Sequence, residues 1–228
     1  LSLRESSPLP SLLPPLRLAS AGSLLYAEEE RHAGIVALEV YVPRQCARAA
    51  ALEASEYGVP RSREGGLRVS ELSACDEDED AVSMALTAVS RLVEAHGLRY
   101  EDVGMLQVGT SSLLDRSKSV KSHLMALFGG CADIEGLDAY DGACGGVQAL
   151  LACVSWLDSP AWDGRWAVVV CTDTLVAGGL VRSAAAVAVL VGPAAAWSLS
   201  RVERVSARHG WGRPCPFGWP TAASVGPD

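Results

Sequence analysis

Basic clusters are what this 228-residue chain most conspicuously lacks: 19 Lys and Arg stand against 27 Asp and Glu, a formal net charge of −8. Without a basic stripe there is no electrostatic footprint for a nucleic-acid backbone or an anionic membrane surface, and neither is expected as a partner. Uninterrupted apolar runs of about 18–20 residues are also missing. The best candidate, Ala184 to Trp197, is shorter and is broken by Gly192-Pro193, so no transmembrane helix is predicted. Seven cysteines occur, yet no Cys-x-x-Cys pair and no histidine at metal-ligand spacing accompanies them. The odd count and scatter argue against a disulfide framework or zinc site and predict reduced thiols in an intracellular compartment. The first thirty residues lack an initiating Met, hold four prolines by Pro15 and end in Glu28-Glu29-Glu30. That is a poor secretory signal and a weak transit peptide, and residues 1–33 are expected to form a flexible extension.

What is present is 49% hydrophobic and only 20% charged, ample for one sizeable core. Gly34 to Val42 is β-branched and apolar, stops at Pro43 and predicts a strand. The Ala-rich stretch Gln45 to Glu56 predicts a helix, and Gly58 to Gly66 a turn. The acidic run Asp76 to Asp80 precedes Ala81 to Ala95, whose Val82, Ala85, Leu86, Val89, Leu92 and Val93 recur at helical spacing. Carboxylates there suit the positive end of a helix, so the run reads as an N-terminal charge cap rather than a metal site, with Gly97 as the stop. Strands are then predicted over Val103 to Gly109, Ile134 to Ala139, Trp166 to Thr172 and Ala184 to Val191, and helices over Ser119 to Phe128 and Val147 to Trp156. This alternation defines an α/β layered domain with a parallel or mixed sheet, in which ligands sit at the carboxyl ends of strands. Gly210 to Asp228, rich in proline and without periodicity, reads as an irregular tail.

Ala143-Cys144-Gly145-Gly146 falls where a predicted strand turns into a helix. A thiolate at such a turn is stabilised by unpaired N–H groups and the helix dipole, which makes it a candidate nucleophile. The alternative is a packing role, since free cysteine is among the most buried residue types. Cys153 and Cys171 read as packing residues, and Trp156, Trp162 and Trp166 as filling core and edges. Arg116, Lys118 and Lys121 suit either a solvated helix start or the phosphates of a ligand, and His123 a helix surface.

Several segments together resemble the amino-terminal half of hydroxymethylglutaryl-CoA synthase. They are Gly34-Ile-Val-Ala-Leu-Glu-Val-Tyr-Val-Pro43, Val108-Gly-Thr110, Asp115-Arg-Ser-Lys-Ser-Val-Lys121, Asp133-Ile-Glu-Gly-Leu-Asp138, Trp162-Asp-Gly-Arg165, Val168-Val-Val170 and Leu190-Val-Gly-Pro193. Their order and spacing match over about residues 34–209. The resemblance implies a thiolase-like αβαβα layered sandwich, of which this chain carries about one βαβαβ half, and a homodimer. It implies no cofactor, acetyl-CoA and acetoacetyl-CoA as acyl-CoA substrates, and a cytoplasmic or mitochondrial location in the mevalonate (isoprenoid and sterol) or ketone-body pathway. An isolated half is expected to leave one sheet face uncovered and to associate.

The family's chemistry uses a cysteine that accepts an acetyl group, a glutamate that removes a methyl proton, and a histidine at the acceptor carbonyl. Aligned without gaps, Ala143 occupies the cysteine position and Cys144 that of a following aromatic residue. With one extra residue in the Ala139 to Gly142 loop, Cys144 is the nucleophile instead, and both frames stay open. The glutamate that follows Val-Gly-Thr in the family is replaced here by Ser111, a hydroxyl that makes a very poor base. Glu135 lies in a stretch where the family also has a glutamate without that role. Val176 to Ser183 departs from the family's acyl-CoA loop, and His209 aligns with a non-catalytic histidine. The resemblance therefore implies a family acyltransferase with little or no activity in this chain, or a non-catalytic homologue that keeps only the fold or a dimer surface.

Overall fold

The computed structural model describes residues 33–51, 70–141, 144–177, 180–193 and 197–198. Strand β4, Val103–Thr110, is buried at every position. Such a strand must be covered on both faces, and alternation sends its side chains two ways: Val103, Leu106 and Val108 into one apolar cluster, Met105 into another.

The other strands are β1 (Gly34–Tyr41), β2 (Gln45–Arg48), β3 (Glu71–Ala74), β5 (Asp138–Tyr140), β6 (Trp166–Ala177), β7 (Leu180–Gly192) and β8 (Trp197–Ser198). Helices are α1 (Ala81–His96), α2 (Val120–Leu124) and α3 (Gly145–Leu157), and 3-10 turns cover Tyr100–Asp102 and Met125–Phe128. Six strands form one mixed sheet in the order β5-β4-β6-β7-β1-β8, while β2 and β3 pair separately. Strand β4 pairs parallel with β5 and with β6, and the pairs β6-β7, β7-β1 and β1-β8 are antiparallel.

Helix α1 covers one face. Its Ala81, Ala85 and Ala88 and the β7 row Ala184, Ala186 and Ala188 are all buried, small side chains that let helix and sheet approach closely. Helix α3 covers the opposite face, where Ala149, Cys153, Val154, Trp156 and Leu157 pack with Met105, Ala167, Val169 and Val191. That second cover is partial. Leu38 pairs with Val189 and shares its face, yet Leu38, Val40 and Val42 remain 45%, 43% and 56% exposed.

Three sequence expectations need correction. Gln45 to Glu56 begins as strand β2, whose register with β3 pairs Gln45 with Ala74 and Arg48 with Glu71, so sheet pairing takes the first four residues and the predicted helix starts only at Ala49, with residues 49–51 helical. Residues 52–69, including the predicted turn at 58–66, lie outside the described set. The strand expected over Ile134 to Ala139 shrinks to β5 plus one bridge between Met105 and Glu135. Gly136 explains the break: its φ is 135°, and an added Cβ would sit 1.8 Å from the Leu106 carbonyl oxygen. Finally, only Asp80 of the acidic run caps α1. Its Oδ1 accepts from Val82 N at 2.8 Å and Ser83 N at 2.7 Å, while Asp80 N donates to Ser83 Oγ at 2.8 Å. Asp76 instead accepts from Gln45 Nε2 at 3.0 Å, and Glu79 accepts from the Tyr41 hydroxyl. The extensions 1–32 and 199–228, with His209, fall outside the described residues.

Asp80→Ala removes both cap bonds without touching the core. Urea denaturation is expected to show a loss of about 1 kcal/mol, the usual size for an N-cap deletion, with unchanged cooperativity.

Candidate functional site

Helix α3 runs back over β4, and its first turn can lie against the sheet only because no side chain intervenes. An added Cβ at Gly109 would be 2.4 Å from Gly146 N, at Gly145 2.6 Å from the Ala139 carbonyl oxygen, and at Gly146 2.6 Å from Cys171 Sγ. The Gly145-Gly146 pair is therefore a packing device that seats the helix end over the carboxyl end of β4 and the middle of β6, not a phosphate loop.

Cys144 is the N-cap of α3. Its backbone N–H donates to Asp141 Oδ1 at 3.2 Å, Gly145 N donates to the Asp141 carbonyl at 2.9 Å, and Gln148 N closes the first turn on the Cys144 carbonyl at 2.9 Å. The thiol makes no capping bond and the residue is half-buried. This is the strand-to-helix turn expected from the sequence. Ala143, the alternative position, lies outside the described residues.

Beyond α3's end, strand alternation brings Ser111 and Asp173 to the same face as Gly109 and Cys171, two residues further along β4 and β6. Thr172, between them, points the other way and donates from Oγ1 to the Ala81 carbonyl at 2.7 Å. Asp173 Oδ1 accepts from Ser111 N at 2.7 Å and Ser111 Oγ at 2.8 Å. Ser112 Oγ lies 3.0 Å from the same oxygen and 3.0 Å from the Thr174 carbonyl, and it accepts from Thr174 N at 2.9 Å. Main-chain pairing of β4 with β6 ends at Gly109 and Cys171. The two serines and Asp173 continue that pairing through side chains, as a polar clasp that ties the end of β4 to β6, which runs on beside β7 to Ala177.

Sequence reasoning singled out Ser111 but missed Ser112 and Asp173. The signal was available: polar residues directly after the apolar runs Val103 to Gly109 and Trp166 to Cys171 of two parallel strands. Glu135 does not join the cluster. It is exposed and its backbone bonds Gly104 and Leu106, toward the opposite end of β4. Lys121 Nζ is engaged by the Ile134 carbonyl at 2.7 Å, Arg116 and Lys118 are exposed, and His123 is half-buried on α2. Of the tryptophans, Trp156 is buried and Trp162 donates from Nε1 to the Arg165 carbonyl at 2.8 Å.

The remaining thiols of this face are inert by environment. Burial pushes the Cys153 thiol up to about 12. Burial, then the Asp173 carboxylate, raises that of Cys171. Among the described residues no group of three or more His, Cys, Asp or Glu is placed to hold a metal ion, and no helix is long and apolar enough to cross a membrane.

A mixed sheet covered by helices on its two faces is the thiolase-like layering. A priming β-ketosynthase of the R1128 polyketide pathway shares that fold with a TM-score of 0.60 at 18% identity. The profile described as "Hydroxymethylglutaryl-coenzyme A synthase N terminal" matches residues 29–196, and the chain belongs to the hydroxymethylglutaryl-CoA synthase family. The mitochondrial hydroxymethylglutaryl-CoA synthase of Sus scrofa is 39% identical over 216 residues, covering 88% of this chain and 42% of that protein. The cytoplasmic synthase of Mus musculus is 43% identical over 172 residues, covering 70% of this chain and 32% of that protein. A solved structure, MvaS in complex with 3-hydroxy-3-methylglutaryl coenzyme A, superposes with a TM-score of 0.64 at 36% identity. It covers 72% of this chain and 40% of the other. The chain thus spans about two-fifths of the relatives' length.

Because the Cys153 thiol is raised from 9.0 to about 12 in the fold, it favours the folded state fully below pH 9.0, and that contribution is lost as pH rises toward about 12. Midpoints of urea denaturation between pH 8 and about 11 are expected to fall more steeply for the native chain than for Cys153→Ala.

Proposed function

We propose that this chain is the amino-terminal, thiol-bearing part of an acyltransferase that takes CoA thioesters, and that by itself it carries out the condensation of acetyl-CoA with acetoacetyl-CoA weakly or not at all. Residues 34–209 form its thiolase-like domain, flanked by the extension at 1–33 and the irregular tail at 210–228. Cys144 is the acyl acceptor, and acetyl-CoA and acetoacetyl-CoA are substrates rather than cofactors; no further cofactor is required. The location is cytoplasmic, with mitochondrial as the alternative, since the named relatives include both kinds.

The observation that carries this reading is the state of Ser111. The condensation needs a base that removes a proton from the methyl of an enzyme-bound acetyl group, and at the end of β4 stands a hydroxyl bonded to Asp173 Oδ1 at 2.8 Å. A hydroxyl held as a donor to a carboxylate takes up no proton from carbon. A positioned general base contributes about 10²- to 10⁴-fold, so its loss alone lowers turnover by that factor.

A second reading, a non-catalytic homologue that keeps only the fold and an association surface, is supported by the edge of the sheet. Strand β5 has no partner on its outer side among the described residues, and Leu137 and Tyr140 beside it are each 60% exposed. An exposed strand edge with apolar neighbours suits pairing with a second copy, as a homodimer.

Formation of 3-hydroxy-3-methylglutaryl-CoA by the native chain is expected to run at least about 100-fold slower than for a full-length relative assayed alongside, and comparable rates would contradict the reading. Peptide mass analysis after incubation with acetyl-CoA separates the two readings. A thioester on Cys144, with turnover raised by Ser111→Glu, supports the enzyme; an unmodified Cys144 and no response to Ser111→Glu support the association module.

A further inference from the structure

The sheet face covered by α3 is left bare toward β1. Helix α3 packs chiefly over β4 and β6. The register that sets Leu38 opposite Val189 and Val40 opposite Val187 puts Leu38, Val40 and Val42 in one row beside those two valines. The three β1-side residues are exposed and the two of β7 half-buried, so the strip is apolar and carries no charge. Contiguous exposed apolar rows of this kind mark interaction surfaces. The chain itself enters β1 on this side: Ala33, immediately before the strand, is 4% exposed and packs with Cys153, Trp156, Leu157 and Val191. Residues 1–32, outside the described set, are joined to it there. Within them, Leu9 to Tyr26 holds seven leucines and a single charged residue, Arg17. Pro10, Pro14 and Pro15 remove backbone N–H groups that a face made of apolar side chains could not satisfy. The six residues 27–32 between this stretch and Ala33 reach about 20 Å when extended, against about 26 Å for the eight residues of β1.

We infer that residues 9–26 fold back over the Leu38-Val40-Val42 strip and cover it within the same chain. The occupant is the chain's own segment rather than a second copy because of concentration. A tether of six residues holds the segment near the strip at an effective concentration of about 1 mM. A contact too weak to join two copies at micromolar protein still forms within one. Composition agrees with this placement: leucines meet a leucine and valines, while Glu28, Glu29, Glu30 and Arg31 fall in the tether, where their charges stay in water. The inference stands apart from the reading of the thiol site, since it uses no ligand and holds whether or not Cys144 accepts an acyl group.

Photo-cross-linking of the full chain tests it. Leu38→benzoylphenylalanine and Val42→benzoylphenylalanine each place a light-activated probe on the strip, at side chains that already face outward, so the strand pairing of β1 is kept. Isotopically heavy and light copies of the same variant are mixed at micromolar concentration and irradiated, and peptide mass analysis locates the adducts. With either probe the major adduct is expected within residues 9–26 and only between peptides of like isotope. Leu24→Ser combined with Leu25→Ser is expected to lower the yield of that adduct at least about threefold, because two buried leucines are lost from the contact. A major adduct joining heavy to light copies overturns the inference and assigns the strip to a second copy. A major adduct elsewhere in the chain, no adduct at all, or a yield unchanged by the two leucine substitutions overturns it as well.

Discussion

The contact on which this molecule depends is the approach of two backbones: the first turn of α3 against the end of β4. Gly109 and Gly146 meet where neither has room for a methyl group. Close packing of this kind does not tolerate intermediate positions, because backbone atoms cannot rotate aside as a side chain can. Once the helix end is seated, the rest of the site follows from the periodicity of the strands. Cys144 caps the helix above the sheet, and Ser111 and Asp173, two residues beyond the contact, come forward past the helix end.

The same arrangement separates having the architecture of a site from having its chemistry. A thiol at a helix start and a carboxylate on β6 are both present, yet the hydroxyl at the base position and that carboxylate are occupied with one another. Ser111 donates to Asp173 by both its main chain and its hydroxyl. The interaction ties the end of β4 to β6 beyond their main-chain pairing, and it stands at the position that must hold a proton acceptor. Structural integrity and proton abstraction therefore make competing demands on the same few atoms, and in this chain the structural demand prevails.

Much of this was legible in the sequence wherever a residue's role is set by local pattern. The apolar run from Val103 to Gly109, the helical spacing from Ala81 to Ala95 and the break at Gly97 need only neighbours along the chain. Failures occurred where partners distant in sequence decide. Gln45 to Arg48, the head of a predicted helix, become a strand because β3, more than twenty residues away, offers a ladder, and the helix begins only at Ala49. Asp76 and Glu79 look like helix caps until Gln45 and Tyr41 claim them. At the site, Cys144 and Ser111 were identifiable from motif and family resemblance. Asp173 was not, because its significance lies in a cross-strand contact 62 residues apart in the chain.

The central claim is that the end of β4 carries no functioning base for an acetyl methyl group. Its most direct measurement needs no acceptor substrate: proton NMR of acetyl-CoA in deuterated water with the chain present reports methyl-proton exchange itself. The account predicts that methyl deuteration proceeds at the rate of the buffer alone. Deuterium entering the methyl group faster in the presence of the chain, and no longer doing so after Cys144→Ala, would contradict it.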